Sequence, residues 1–90
     1  MNNKLTKRER EHFALIKSMS CSVCGQPGPS EAHHIRQHLT FTCIPLCSSC
    51  HRDNFNGIHG QKRMWSVMKK DELICLDETI RALLDELAQT

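Results

Sequence analysis

Two CxxC pairs, Cys21-Ser22-Val23-Cys24 and Cys47-Ser48-Ser49-Cys50, constrain this chain more than any other feature. A CxxC knuckle turns tightly enough to aim both sulfurs at one point, and two knuckles make the tetrahedral thiolate set of a structural zinc. The 22 residues between the pairs slightly exceed the ~15–20 of the common zinc pattern and leave room for a hairpin. With 90 residues the chain makes one domain with little volume for an apolar core, and chains of this size often depend on a staple. Once four cysteines close the zinc shell, His33, His34 and His51 are left over. They are candidates for a second site, where function should lie.

Six cysteines could instead form a disulfide framework. Residues 1–17 are charged throughout, however, and no apolar run reads as a secretory leader or a membrane span. A cytoplasmic protein without a membrane partner is expected, and there CxxC pairs bind metal. Cys43 and Cys75 lie outside the pairs and are read as small apolar residues. Redox chemistry fits poorly, because no thioredoxin-like βαβ pattern surrounds either pair. The net charge of +2 is uneven: residues 1–70 hold eleven Lys/Arg against four Asp/Glu, residues 71–90 one against six. A basic body suits a polyanionic partner, although an ordinary solvated surface has the same composition.

Local signals place the elements. Thr6 and Glu9 have capping-box spacing, so a first helix is expected from near Thr6 to near Ser20, with Phe13 and Ile16 on its apolar side. Gly25 permits the tight turn after Cys24, and Gln26-Pro27-Gly28-Pro29 is a loop tip. Strands are expected over residues 31–35 and 41–46, with Pro45 at the end of the second. Ser48 or Ser49 would cap a helix that carries Cys50, His51, Arg52 and Phe55 and ends at Asn56-Gly57, the glycine in a left-handed cap. A short helix over 61–69 would present Met64, Trp65 and Met68 on one face. In a last helix, capped by Asp77, Ile80, Leu83, Leu84, Leu87 and Ala88 form a stripe read as core, with a dimer contact as the alternative.

In this order, Cys21–Cys24, Ala32-His33-His34-Ile35, the run from Ile44 to His51, and Gly57-Ile58-His59-Gly60 resemble the zinc-stapled HNH nucleases of the ββα-metal (His-Me finger) class. The segment from Ala32 to Gly60 is most similar to phage recombination-enhancement nucleases and small prophage HNH proteins. The likeness spans residues 21–60; the flanking helices, over 5–19 and 61–89, are read from pattern alone. It implies an α+β fold, a small zinc-stabilised ββα-metal core with helices added at both ends. It also implies an endonuclease that hydrolyses DNA phosphodiesters in phage or prophage recombination or DNA processing.

By the same resemblance His34 is the general base, His33 occupies a metal-ligand position beside it, and His51 is the second ligand of a catalytic divalent cation. The chemistry agrees: imidazole titrates near neutrality and can take a proton from water. In a helix His51 is rotated by about 100° from Cys50 and can leave the zinc. Regular strand geometry sends His33 and His34 to opposite faces, so the strand should end or distort there. His59, between two glycines, is a third ligand, a phosphate contact or a surface residue; His38 is a phosphate contact or a solvated loop residue. The family's middle asparagine, which orients the base, is missing here. Thr42 takes its position, with Thr40 and Gln37 as other candidates.

Mg²⁺ or Mn²⁺ is the usual working ion of such a site, whereas imidazole ligands favour Zn²⁺ or Ni²⁺. Arg36, Arg52, Lys62, Arg63, Lys69 and Lys70 are the candidate contacts to the DNA backbone. The competing class is a non-catalytic zinc module that binds DNA or a protein. It would need only the four-cysteine metal.

Overall fold

The computed structural model describes residues 4–89. Helix α1 (Lys7–Ser18) starts as its capping box predicts: Thr6 Oγ1 accepts from the Glu9 amide at 3.1 Å, and Glu9 Oε1 accepts from the Thr6 amide at 2.8 Å. Ile16 is its fully buried side chain. The first knuckle follows, and Gly25 adopts the left-handed φ of 81° that the turn requires. Strands β1 (Glu31–His34) and β2 (Cys43–Leu46) pair antiparallel, with Glu31 opposite Leu46 and His34 opposite Cys43. Together the elements make the expected small α+β fold, in which four helices surround a two-stranded sheet.

Both strands are shorter than expected. Residues 40–42 form a 3₁₀ turn (Thr40–Thr42) rather than the start of β2. Pro45 sits inside the strand, opposite Ala32, and not at its end. Its carbonyl points away from β1 to accept from the Ser22 amide at 2.8 Å. The missing N–H therefore also lies on the outward side, where no ladder bond is lost.

Helix α2 (Ser48–Arg52) is capped by Cys47, not by a serine; the sulfur accepts from the Cys50 amide at 3.4 Å. It stops at Arg52, so Phe55 is not helical. Asp53 Oδ1 instead turns the chain by accepting from the amides of Phe55 and Asn56. Gly57 is not a left-handed cap either, because its φ is not positive. It is required by close approach: a Cβ there would stand 2.7 Å from the Asp53 carbonyl oxygen and 2.8 Å from that of His51.

Helix α3 (Arg63–Val67) buries Trp65, whose indole N–H donates to the Cys50 carbonyl at 2.8 Å, while Met68 is exposed and leaves the expected face. The core groups the knuckle cysteines Cys21, Cys47 and Cys50 with Val23, Ile44, Leu46, Trp65 and Cys75. Cys43 and Cys75 are fully buried, as their reading as apolar residues requires, and burial pushes the Cys43 thiol up to about 11.

Helix α4 (Glu72–Ala88) departs most from expectation. It begins six residues before Asp77 would have capped it. Asp71 is the N-cap, accepting from the Ile74 amide at 2.9 Å, and Asp77 lies within the helix paired to Arg81. The side facing the core carries Cys75 and Thr79. The leucine stripe is not core: Leu84 is 59% exposed and Leu87 69%. Replacing Asp71 by Ala should therefore lower stability by about 1 kcal/mol through the lost cap. Asp77→Ala should cost only about 0.3–0.5 kcal/mol, the worth of an exposed i,i+4 pair. Urea denaturation of the two variants would check this, and equal effects would contradict the assigned start.

Candidate metal centres

The four knuckle sulfurs converge. Cys21, Cys24, Cys47 and Cys50 place their Sγ atoms within 4.8 Å of one another, and those of Cys24 and Cys47 are 3.7 Å apart. A tetrahedral zinc with Zn–S bonds of ~2.3 Å holds its sulfurs about 3.8 Å apart, the spacing of the Cys24–Cys47 pair, so the set could hold zinc. Burial alone would raise the Cys21 thiol, but amide hydrogen bonds from Cys24, Cys47 and Val23 bring it down to about 7. Such bonds stabilise thiolate, the form that binds metal. Burial pushes Cys47 and Cys50 the other way, which is the cost of grouping thiols in a core when no cation neutralises them.

The second group is His33, His51 and His59, whose ring nitrogens also lie within 4.8 Å of one another. Ring centroids are 5.1 Å apart for His33–His51, 5.3 Å for His33–His59 and 5.0 Å for His51–His59. Each ring comes from a different element. His33 projects from β1 and His51 from α2, while His59 belongs to the loop that folds back after α2. That fold-back is dense: the His59 amide donates to the His51 carbonyl, and a Cβ on Gly60 would stand only 2.3 Å from the Asn54 carbonyl oxygen. Glycine at 57 and 60 thus brings His59 to the group, and His51 stands with these rings rather than with the cysteines.

Two carboxylates brace the rings. Glu31 Oε1 accepts from His51 Nδ1 at 2.7 Å and from Arg52 Nε at 2.9 Å; the His51 bond, then the Arg52 charge, hold its carboxyl below the usual range. A carboxylate only accepts, so His51 carries a proton on Nδ1, and in the neutral ring that leaves the lone pair on Nε2. His33 Nε2 meets Glu72 Oε2 at 2.7 Å. Burial holds His33 below its ordinary value although the Glu72 bond opposes this, and neutral imidazole is the ligand form. Sequence reasoning assigns no role to either glutamate. Glu31 was within its reach, because residues i and i+2 of a strand share a face and Glu31 is paired with His33 in that way.

His34 is not in the triad. As strand alternation requires, its ring lies on the other side of β1, 5.8 Å from the Phe13 ring centroid, and no distortion of β1 is needed. It nevertheless lines the same open cleft, of about 620 Å³, as His33, His51 and His59. Gln37, His38, Lys4, Leu5 and Glu9 also line it. Thr42 braces the loop after the strand: its hydroxyl accepts from the Arg36 amide at 3.3 Å and donates to the Leu39 carbonyl at 2.7 Å. It does not reach His34, whose ring has no hydrogen-bond partner among the described residues.

The basic candidates divide. Arg36, Lys62, Arg63 and Lys69 are exposed. Arg52 is exposed but held by Glu31. Lys70 is tied into the fold, donating to the Ser22 carbonyl at 2.7 Å and to Glu78 at 2.8 Å, so it drops out as a candidate for the DNA backbone. Among the described residues, no helix is long and apolar enough to cross a membrane.

The fold and these groups define a small α+β protein with a four-cysteine set that could hold zinc and a separate cluster of three histidines. No family model, curated protein or solved structure matches the chain.

Outside these groups, His12 packs against Phe41 with its Nε2 buried and unpartnered, and burial lowers its pKa. Since the unfolded chain then binds protons more readily, this residue should reduce stability as the pH falls below about 6.5, the unperturbed histidine value. A lower urea midpoint at pH 5.5 than at pH 7.5 is expected, and His12→Leu should shrink the difference. An unchanged difference would locate the effect elsewhere.

Proposed function

We propose that this protein is a metal-dependent endonuclease that hydrolyses DNA phosphodiesters. The observation that carries the reading is His34 opening onto the same cleft as three convergent imidazoles. His33, His51 and His59 would hold a divalent cation, which supplies charge stabilisation for the phosphate and its leaving oxygen. Three imidazoles with no carboxylate among them favour Zn²⁺ or Ni²⁺ over Mg²⁺, with Mn²⁺ between.

His34 acts as general base. Its imidazole takes one proton from a water, whose oxygen forms the new P–O bond as the bond to the 3′ or 5′ leaving oxygen breaks. The leaving oxygen ends protonated from solvent, and His34 returns its proton to solvent. Arg36, in the loop braced by Thr42 and next in sequence to cleft-lining Gln37, and Arg63, which opens α3, are exposed and suit backbone phosphates.

Plasmid nicking by protein stripped at the histidine group and resupplied with Mg²⁺, Mn²⁺, Ni²⁺ or Zn²⁺ tests the reading. Metal-dependent nicking is expected; binding without cleavage under every ion would favour a non-catalytic zinc module. DNA affinity should also fall steeply with salt. Changing Arg36 and Arg63 to Gln should reduce the log–log slope by about 0.9 for each phosphate that is no longer neutralised. Fluorescence anisotropy would read it, and a slope unchanged by both substitutions would exclude these residues from the interface.

A further inference from the structure

Glu72 opens α4, 39 positions from His33 and beyond the segment that carries the nuclease resemblance, yet its carboxylate lies 2.7 Å from His33 Nε2. We propose that Glu72 is a positioning residue: it fixes His33 in the tautomer protonated on Nε2 and so presents Nδ1 as the ligand atom. The inference rests on the reading of His33, His51 and His59 as a metal site.

Neutral imidazole has one donor nitrogen and one acceptor nitrogen, and a carboxylate can only accept. The short hydrogen bond therefore assigns the proton to Nε2 and the lone pair to Nδ1. Glu72 is not itself part of the three-histidine group, so it acts through the ring. The pair is sheltered, with the His33 side chain 10% exposed and that of Glu72 34%, which limits competition by water. Its placement is also firm. Asp71 pins the first turn of α4, and buried Cys75 and Thr79 seat the helix on the core. A carboxylate delivered by a docked helix can hold a ring that a loop residue would leave free to turn. His51 is braced in the same manner by Glu31, from the neighbouring strand position.

The test uses the full chain with zinc in the cysteine set and the histidine group emptied by mild chelation. Co²⁺ is titrated and followed by its d–d absorption, and the His33 tautomer is read from long-range ¹H–¹⁵N NMR spectra of the emptied protein. Glu72→Ala should weaken Co²⁺ binding by about 10–100-fold and convert His33 to a mixture of tautomers. Glu72→Gln offers a carbonyl that still accepts from Nε2–H, so it should keep the tautomer and lose less than about 10-fold. Thr79→Ala loosens the seating of α4 without touching His33 and should change affinity little.

Wild-type affinity and a wild-type tautomer in Glu72→Ala would overturn the proposal while leaving the metal-site reading intact. So would an equal loss in Thr79→Ala, or an unfolded Glu72→Ala, since either would make Glu72 a structural anchor only. A wild-type protein that takes up a single metal equivalent would remove the metal-site reading, and the proposal with it.

Discussion

Cys21→Ser is expected to lose its zinc and its fixed tertiary structure together. Three of the four sulfurs, those of Cys21, Cys47 and Cys50, are part of the apolar core and not an appendage to it. Structural zinc binding releases about 10–16 kcal/mol in small finger peptides. A whole domain is stable by only about 5–15 kcal/mol. Losing one thiolate also leaves two buried ligand groups, Cys47 and Cys50, with weakened compensation, in a chain whose core has few other large side chains. Cys75→Ala removes one buried sulfur outside the set and should cost about 1–2 kcal/mol, in line with small core truncations. Zinc stoichiometry, together with the dispersion of amide resonances, would separate the two variants. A Cys21→Ser protein with full zinc and a dispersed spectrum would refute the assignment.

The second large effect divides base from ligands. His34→Ala should lower the cleavage rate by about 10²–10⁴-fold, the usual contribution of a positioned acid or base, while DNA and metal still bind. The side chain lies outside the three-histidine group, against Phe13, so its removal leaves the cation's ligands in place. His51→Ala should lose the second metal together with activity, yet keep the structural zinc, because the cysteine set does not use it. Its removal also frees Glu31 from one of its two donors, leaving the pair with Arg52. Metal content by mass spectrometry and single-turnover nicking would read both variants. Wild-type cleavage by His34→Ala would end the mechanism as drawn, and a second metal retained by His51→Ala would end the ligand assignment.

What was legible in the sequence is what short-range chemistry decides. The CxxC spacing brings sulfurs together within one turn, and Thr6 and Glu9 reach each other across three residues; both arrangements form as read. The α+β class that the resemblance implies is the one the chain adopts, with a four-cysteine set that could hold zinc. Strand alternation was legible too, and it separates His34 from His33 as its period of two demands. The strand is expected to end or distort at these histidines, and it ends at His34. An open cleft reaches both sides of the strand's end, so no distortion is needed.

Tertiary structure decided the rest. Asp71 and Asp77 are both competent caps, and local sequence cannot rank them; the helix starts at the first because docking on the core extends it there. Periodicity revealed the leucine stripe of α4 but not which way it faces. The knuckles and Trp65 already fill the core, leaving room only for the narrow side with Cys75 and Thr79, so the stripe turns outward. Gly57 carries the signature of a left-handed cap, but the need for it comes from the chain folding back on the carbonyls of His51 and Asp53. The Glu72–His33 bond spans 39 positions. No periodicity or spacing signals such a pairing, because it arises only when a helix and a strand formed by separate local rules are packed side by side.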